Sequence, residues 1–280
     1  MITCQAIHKT FHGTTVLENI DLHVEEGKIF GLLGPSGAGK TTLIKIITGQ
    51  LPKDSGDVSI LGKSVEDLTG RDRNQIGIMM DQFGIYDRFS CMDNLKIFAQ
   101  IYGIPTDKVR KALIDVGLEQ AIRTPAGKLS KGMRNRLSLA RVFIQEPRII
   151  FLDEPTSGLD PATSRAIHKL IMDKKREGCT IFLTTHNMDE ASRLCDHVAL
   201  LHEGKIVEYG VPLELSRKYD HQKKILLHLA DGEDETLDYS ETSAGRIRML
   251  MENRMLETIH SSEPNLETVF LELTGKKLED

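Results

Sequence analysis

Short apolar runs alternate along the chain with stretches in which apolar residues recur every three or four positions. The runs have the length of buried strands, and turn or capping residues follow each of them. We interpret five of them as strands, at residues 29–33, 76–80, 149–152, 180–184 and 198–201. Buried strands that alternate with helices predict an α/β domain with a mainly parallel sheet.

The middle of the chain has a different pattern, which lacks strand signals from about residue 86 to 145. It predicts three helices, at residues 93–100, 106–116 and 131–145. Because strands are expected on both sides of it, we interpret this stretch as a helical subdomain inserted into the α/β domain. Two later helices have readable beginnings, since Asp160 and Asn187 are good N-cap residues.

A second change of pattern follows Pro212. We expect a strand at 225–229, a helical stripe of Ile247, Leu250, Met251 and Met255, and a last helix between Pro264 and Gly275. Residues 216–280 hold 9 Lys+Arg and 14 Asp+Glu, whereas residues 1–215 hold 27 of each, so the C-terminal part carries the whole net charge of −5. We therefore predict two regions, the α/β domain with its helical subdomain at 1–215 and a small α+β extension at 216–280.

Composition excludes several classes of protein. With 40% hydrophobic and 28% charged residues among 280, the chain is an ordinary globular protein. No apolar run approaches the roughly 20 residues that a spanning helix needs, and no signal peptide is expected. A neutral main domain argues against nucleic acid as the main partner. The four cysteines are scattered, which favours reduced thiols in the cytosol over disulfides or a metal site.

The strongest chemical signal is a G-x-x-x-x-G-K-T motif that follows the strand at 29–33 and precedes a helix. Glycines let a loop backbone wrap closely around phosphates, and a helix N-terminus presents free N–H groups to an anion. Lys40 would reach the β and γ phosphates, and the Thr41 hydroxyl would bind Mg²⁺. We expect the following residues to bind the nucleotide: Gly34, Pro35, Ser36, Gly37, Ala38, Gly39, Lys40, Thr41 and Thr42.

Two adjacent carboxylates end the strand at 149–152, at the edge where such a sheet places ligand groups. Asp153 suits a contact to Mg²⁺. Glu154 is positioned to orient and deprotonate the water that attacks the γ-phosphorus, and so to catalyse hydrolysis.

The segment Leu129-Ser130-Lys131-Gly132-Met133 stands between these two motifs. It resembles the signature sequence of ATP-binding cassette (ABC) proteins, usually Leu-Ser-Gly-Gly-Gln, with Lys131 and Met133 as departures. The resemblance implies a P-loop NTPase (RecA-like) core that hydrolyses ATP. It also implies that Ser130 and Gly132 complete the ATP site of a second copy in a head-to-tail dimer.

Other residues match the family in order and spacing. Gln82 is similar to the glutamine that senses Mg²⁺ and the attacking water, and Asp160 to the aspartate that crosses the dimer interface. His186 resembles the histidine that contacts the γ-phosphate. Phe11 stands where the family usually has a tyrosine that stacks on adenine. The resemblance therefore implies Lys40, Gln82, Glu154 and His186 as catalytic residues, and Thr41, Gln82 and Asp153 as Mg²⁺ ligands.

The C-terminal segment around residues 263–275 resembles that of bacterial exporter ATPases for drugs, peptides or surface polymers. The resemblance implies a homodimer at the cytoplasmic face of the membrane, bound to an integral permease on a separate chain. A candidate groove for the permease contains Phe83, Ile85, Tyr86, Phe89 and Met92, since exposed apolar patches mark partner sites.

Three alternatives stay open at this stage. The chain is compatible with an importer subunit and with a non-transport ATPase of the same fold, although it lacks the tandem cassettes or long coiled-coil insertions of the latter. A kinase or GTPase would share only the phosphate loop, and the signature segment and His186 argue against it.

Overall fold

The computed structural model describes residues 1–80, 84–219, 224–261 and 265–275. The chain divides into two compact units, of which the first is Met1–Val211 and the second begins at Pro212. Among the helices in these described ranges, none combines the length and the apolar character that crossing a bilayer requires.

The first unit consists of two sheets and the helices around them. Its strands in chain order are β1 Ile2–Phe11, β2 Thr14–Val24, β3 Ile29–Leu33, β4 Ser55–Ile60, β5 Lys63–Ser64, β6 Ile76–Met79, β7 Ile149–Asp153, β8 Thr180–Thr185, β9 His197–His202 and β10 Lys205–Gly210. Its helices are α1 Lys40–Ile47, α2 Gly70–Arg73, α3 Cys91–Ile101, α4 Thr106–Asp115, α5 Lys131–Phe143, α6 Pro161–Arg176 and α7 Met188–Leu194.

The larger sheet has six strands in the order β10-β9-β3-β8-β7-β6. Five of them are parallel, and β10 pairs antiparallel with β9. These five parallel strands are the apolar runs seen in the sequence, because strands covered on both faces need apolar residues at every position. The predicted parallel α/β fold is therefore confirmed. Since β3, β8 and β7 are neighbours, the segments after them leave the same edge of the sheet side by side.

A second sheet of four antiparallel strands, β2-β1-β4-β5, was not expected from the sequence. Its buried side chains form one core with those of β3, β7 and β8. Phe182 lies at the centre of this core, with ring centroids 5.1 Å from Phe30 and 5.4 Å from Phe151. All three rings are essentially inaccessible, and each contributes about 1.5–3 kcal/mol of hydrophobic stabilisation.

Between β6 and β7 the three predicted helices are present as α3, α4 and α5. Helix α5 ends at Phe143, two residues before the predicted end at residue 145. Glu146 has a φ of +50° and Pro147 follows it, and neither feature is compatible with a continuing helix. Ser130 caps the other end of α5, because its hydroxyl accepts the N–H of Met133 at 3.2 Å.

The second unit is a small α+β structure. Its elements are α8 Pro212–Lys218, β11 Lys224–Leu229, β12 Asp234–Asp238, α9 Glu241–Glu252, β13 Leu256–Ser261 and α10 Leu266–Thr274. The three strands form an antiparallel sheet in the order β12-β11-β13. Leu250 of α9 packs on Leu227 and Leu229 of β11.

One predicted apolar stripe in this unit is partly wrong. Met251 is 62% exposed, and Met255 lies beyond the end of α9. The sheet needs only the face of α9 that carries Ile247 and Leu250, and Met251 lies outside it. The last helix is confirmed as α10, which Gly275 ends with a φ of +68°. Pro264, predicted near its beginning, lies outside the described residues.

Candidate nucleotide-binding site

The loop after β3 is shaped by close backbone approaches. A Cβ on Gly34 would stand 2.2 Å from the carbonyl oxygen of Leu201, so no other residue fits there without moving the backbone. Gly39 has a φ of +109°, and a Cβ on it would stand 2.8 Å from Leu17 Cδ2 and 3.0 Å from the oxygen of Val16. The two glycines therefore let the loop turn tightly between the sheet and the N-terminus of α1.

Lys40 begins α1 and lies at the centre of this loop. It is 6% exposed, and its Nζ donates to the carbonyl oxygens of Gly34 at 2.7 Å and Pro35 at 3.0 Å. The first turn of α1 contains no acidic residue. The positive end of the helix dipole and the Lys40 ammonium group therefore lie close together, and this combination favours a bound anion. Thr41 and Thr42 follow Lys40 in the same first turn of α1.

Thr41 and Asp153 are in direct contact, although 112 positions separate them. The Thr41 hydroxyl donates to Oδ2 of Asp153 at 2.8 Å. Oδ1 of the same carboxylate accepts a short hydrogen bond from the hydroxyl of Thr184, which pairs with Asp153 across the neighbouring strands β8 and β7. The pair is an all-oxygen donor set beside the phosphate loop. Such a set fits Mg²⁺, which is usually held by one or two carboxylates together with substrate phosphates and water.

Glu154 follows Asp153 and contacts two other predicted residues. One carboxylate oxygen lies 2.6 Å from His186 Nδ1, and the other lies 3.4 Å from Lys40 Nζ. The Glu154 side chain is 27% exposed and that of His186 is 51% exposed, so water can reach both. This arrangement can accept a proton from a water molecule beside an anion that Lys40 holds.

The backbone of Glu154 has a φ of +50°, which is uncommon for any residue except glycine. Its N–H donates to the carbonyl oxygen of Thr184 at 3.2 Å and to the Thr184 hydroxyl at 3.1 Å. Thr184 thus holds both carboxylate residues, yet sequence reasoning missed it. The available signal was a hydroxyl at the carboxyl end of a buried strand.

Ser130, Gly132 and Asp160 form a separate cluster at the N-termini of α5 and α6. Asp160 caps α6 by accepting the N–H groups of Ala162 and Thr163, both at 3.0 Å. The hydroxyl and N–H of Thr163 hold the pKa of Asp160 below its usual value. In the part of the chain that the structure describes, no hydrogen bond or ion pair joins this cluster to Lys40, Thr41, Asp153 or Glu154.

Phe11 ends β1 at the tip of the β1–β2 hairpin. It is 37% exposed, and the ammonium of Lys9 lies 5.2 Å from its ring centroid. The same hairpin reaches the phosphate loop through Val16 and Leu17, which border Gly39. An exposed aromatic face is thus available on an element that contacts the loop.

Gln82 and Phe83, predicted for the catalytic site and for the permease groove, lie outside the described residues. The segment after them exposes Tyr86 and Phe89, at 52% and 44%, with ring centroids 5.5 Å apart. Asn94, fully buried, shapes this turn by accepting the N–H of Tyr86 at 2.7 Å and donating to the Tyr86 and Phe89 carbonyls. The remaining two members of the predicted groove, Ile85 and Met92, are half-buried.

Comparisons with known proteins give one consistent result. Residues 17–157 match the family model described as ABC transporter. A fluoroquinolones export ATP-binding protein of Mycobacterium tuberculosis is 38% identical over 266 residues, which cover 94% of this chain and 88% of that protein. The Nod factor export ATP-binding protein I of Rhizobium etli is 32% identical over 293 residues, covering 98% and 93%. A solved ATP-binding subunit of an ABC transporter superposes with a TM-score of 0.70 at 28% identity, covering 78% and 93%.

Proposed function

The chain belongs to the ABC transporter family as an ATP-binding subunit, and from this premise we propose that it hydrolyses ATP to drive export through a permease on a separate chain. The observation that carries the proposal is the contact of Glu154 with both His186 and Lys40. It brings together a proton acceptor, the Glu154 carboxylate, an anion-binding ammonium group, that of Lys40, and the imidazole ring of His186. That combination suits hydrolysis of a phosphoanhydride better than simple nucleotide binding.

The proposed roles of the residues follow from their contacts. The loop from Gly34 to Thr42 and the Lys40 ammonium bind the β and γ phosphates of ATP. Glu154 orients a water molecule and accepts its proton, while His186 holds the Glu154 carboxylate and contacts the γ-phosphate. Thr41 and Asp153 would hold Mg²⁺, which supplies charge neutralisation to the phosphates when it is bound. Gln82 is proposed to contact the same ion, and Phe11 to stack on adenine.

We place a second copy of the chain opposite this site. Ser130 and Gly132 lie at a helix N-terminus that has no acidic residue in its first turn, and Asp160 lies at the neighbouring one. The N-terminus at Ser130 and Gly132 favours an anion. Within the described residues, neither these two residues nor Asp160 contacts the phosphate loop of its own chain. We therefore propose that they complete the ATP site of the partner in a homodimer. The departures at Lys131 and Met133 leave Ser130 and Gly132 in place.

The permease contact is proposed at Tyr86 and Phe89. Two exposed aromatic rings lie on a turn that the buried Asn94 side chain holds by hydrogen bonds, and they offer an apolar surface for a permease helix. Docking there would bring the chain to the cytoplasmic face of the membrane. The relatives support export, since one is an export protein for fluoroquinolones and the other for Nod factors.

Replacement of Glu154 by Gln tests the proposal, because it removes the proton acceptor and keeps the shape of the side chain. We expect turnover of Mg·ATP by the purified protein to fall about 100-fold or more, the usual contribution of a general base. ATP binding should stay within about threefold, because Lys40 and the loop are unchanged. Glu177→Gln is the matched control, since Glu177 is exposed and its carboxylate pairs with Lys174, three residues before it. Parental turnover in the Glu154→Gln variant would show that the assigned chemistry is wrong.

A further inference from the structure

Glu190 is a buried carboxylate to which the proposed mechanism gives no role. It lies on α7, four residues after His186, and is 4% exposed. A carboxylate is rarely buried unless hydrogen bonds compensate for the loss of water. Its partners therefore indicate what holds it in place.

The contacts of Glu190 join three segments around the site. Its Oε1 accepts the hydroxyl of Thr156 at 2.6 Å and lies 2.8 Å from Nε2 of His168 on α6. Its own N–H donates to the side chain of Asn187, the residue directly after His186, at 2.9 Å. Since an ionised carboxylate only accepts hydrogen bonds, His168 is the donor in this pair. Burial alone would raise the pKa of Glu190, but the bonds from His168 and Thr156 outweigh it and hold that pKa below its usual value.

Thr156 stands two residues after Glu154, whose left-handed backbone needs support from its surroundings. On one side, Thr184 holds the N–H of Glu154. On the other side, the side chain of Asn135 donates to the carbonyl oxygen of Pro155 at 2.9 Å, and Glu190 holds Thr156. Glu190 also lies on α7, the helix that begins two residues after His186 and whose N-cap is Asn187.

We propose that Glu190 is a positioning residue for ATP hydrolysis, which fixes the Glu154 carboxylate relative to His186 through Thr156 and His168. The inference rests on the proposed function. Glu190 touches neither nucleotide nor water in this role. Its loss would let the turn from Pro155 to Leu159 shift, and with it the 2.6 Å contact between Glu154 and His186.

The test compares kcat and KM for ATP in Glu190→Gln and in two variants of Thr156. We expect Glu190→Gln to lower kcat about 10- to 100-fold, the effect of a small misplacement of a catalytic group, with KM changed less than about threefold. Thr156→Val should lower kcat by the same factor. Thr156→Ser keeps the hydroxyl and should retain the parental kcat. The double variant Glu190→Gln/Thr156→Val should be no slower than either single one, because both break the same link. Glu177→Gln again serves as the surface control.

A merely structural role would lower the melting temperature and raise KM together with any loss of kcat. That pattern, or a parental kcat in Glu190→Gln, would overturn the inference. If Glu190→Gln does not fold, the contrast between Thr156→Val and Thr156→Ser decides, and equal kcat values in these two would overturn it. Failure of the parental protein to hydrolyse ATP would instead refute the proposed function, so the two failures are distinguishable.

Discussion

The packing of α5 against α6 requires glycine at position 132, independently of any contact with nucleotide. Gly132 is buried in the first turn of α5, and a Cβ added to it would stand 2.5 Å from Cγ2 of Thr163 on α6. Ordinary van der Waals contacts of a Cβ atom lie at 3.4–4 Å, so Gly132→Ala creates an overlap of roughly 1 Å. Overpacking of this kind costs about 1–3 kcal/mol, whereas the better helix propensity of Ala returns at most about 1 kcal/mol. We expect a net loss of stability of about 0.5–2 kcal/mol.

A second substitution should reverse most of this loss. Thr163→Ser removes the Cγ2 methyl group, and the next nearest atoms of residue 163, Cβ and Oγ1, lie at 3.5 Å, an ordinary contact. The hydroxyl that donates to Asp160 at 2.5 Å is kept. We therefore expect the double variant Gly132→Ala/Thr163→Ser to be more stable than Gly132→Ala alone, with a coupling energy of about 1 kcal/mol.

The assay is urea unfolding followed by circular dichroism, with Gly245→Ala as the matched control. Gly245 lies within α9, and a Cβ on it meets no atom within 4 Å, so the control should gain up to about 1 kcal/mol. If Gly132→Ala gains stability as Gly245→Ala does, the tight contact between α5 and α6 is not real. If Thr163→Ser fails to restore Gly132→Ala, the loss has another cause.

Two further expectations concern stability against pH and the partner surface. Asp196 accepts the N–H of Ile29 and the ammonium of Lys175, both at 2.7 Å. Burial opposes ionisation, but these bonds hold its pKa below the usual 3.8, so its ionised form stabilises the fold above about pH 4 and less as the pH falls further. Asp196→Asn should cost about 1–3 kcal/mol at pH 7 in urea unfolding and weaken the decline in stability below pH 4; an unchanged pH curve would contradict this. A photocrosslinking residue at Tyr86 should capture a polytopic membrane protein in native membranes, whereas one at the similarly exposed Tyr239 should not. Failure of the Tyr86 position to capture any membrane protein would contradict the proposed permease surface.

The sequence predicted best those elements that a local pattern of residues specifies. The parallel strands are continuous apolar runs, so the pattern and the structure coincide to within a residue or two at the ends. The antiparallel sheet was missed because irregular pairing breaks the alternation of β1 and β2. Register shifts lie between Cys4 and Ile7, and Ala6 and Asn19 have φ values of +50° and +53°. A period of two residues cannot be read through such interruptions.

In the candidate site, too, the sequence predicted the residues of local motifs but not the contacts that the fold creates between distant residues. The motifs indicated Lys40, Thr41, Asp153, Glu154 and His186, and these side chains do lie in contact, because topology brings the ends of β3, β7 and β8 together. The supporting hydrogen bonds could not be read from the sequence. Thr156 and Glu190 are 34 positions apart and neither belongs to a motif, so only the fold reveals that they meet.

Everything proposed for the site depends on ATP being enclosed between the Lys40 loop of one copy and the Ser130 turn of another. The most direct test is sedimentation of the Glu154→Gln variant with saturating Mg·ATP. The substitution slows hydrolysis, so the bound ATP is preserved during the measurement. We expect a stable dimer with ATP and a monomer without it. A protein that stays monomeric with ATP, both alone and with its permease, would contradict the account.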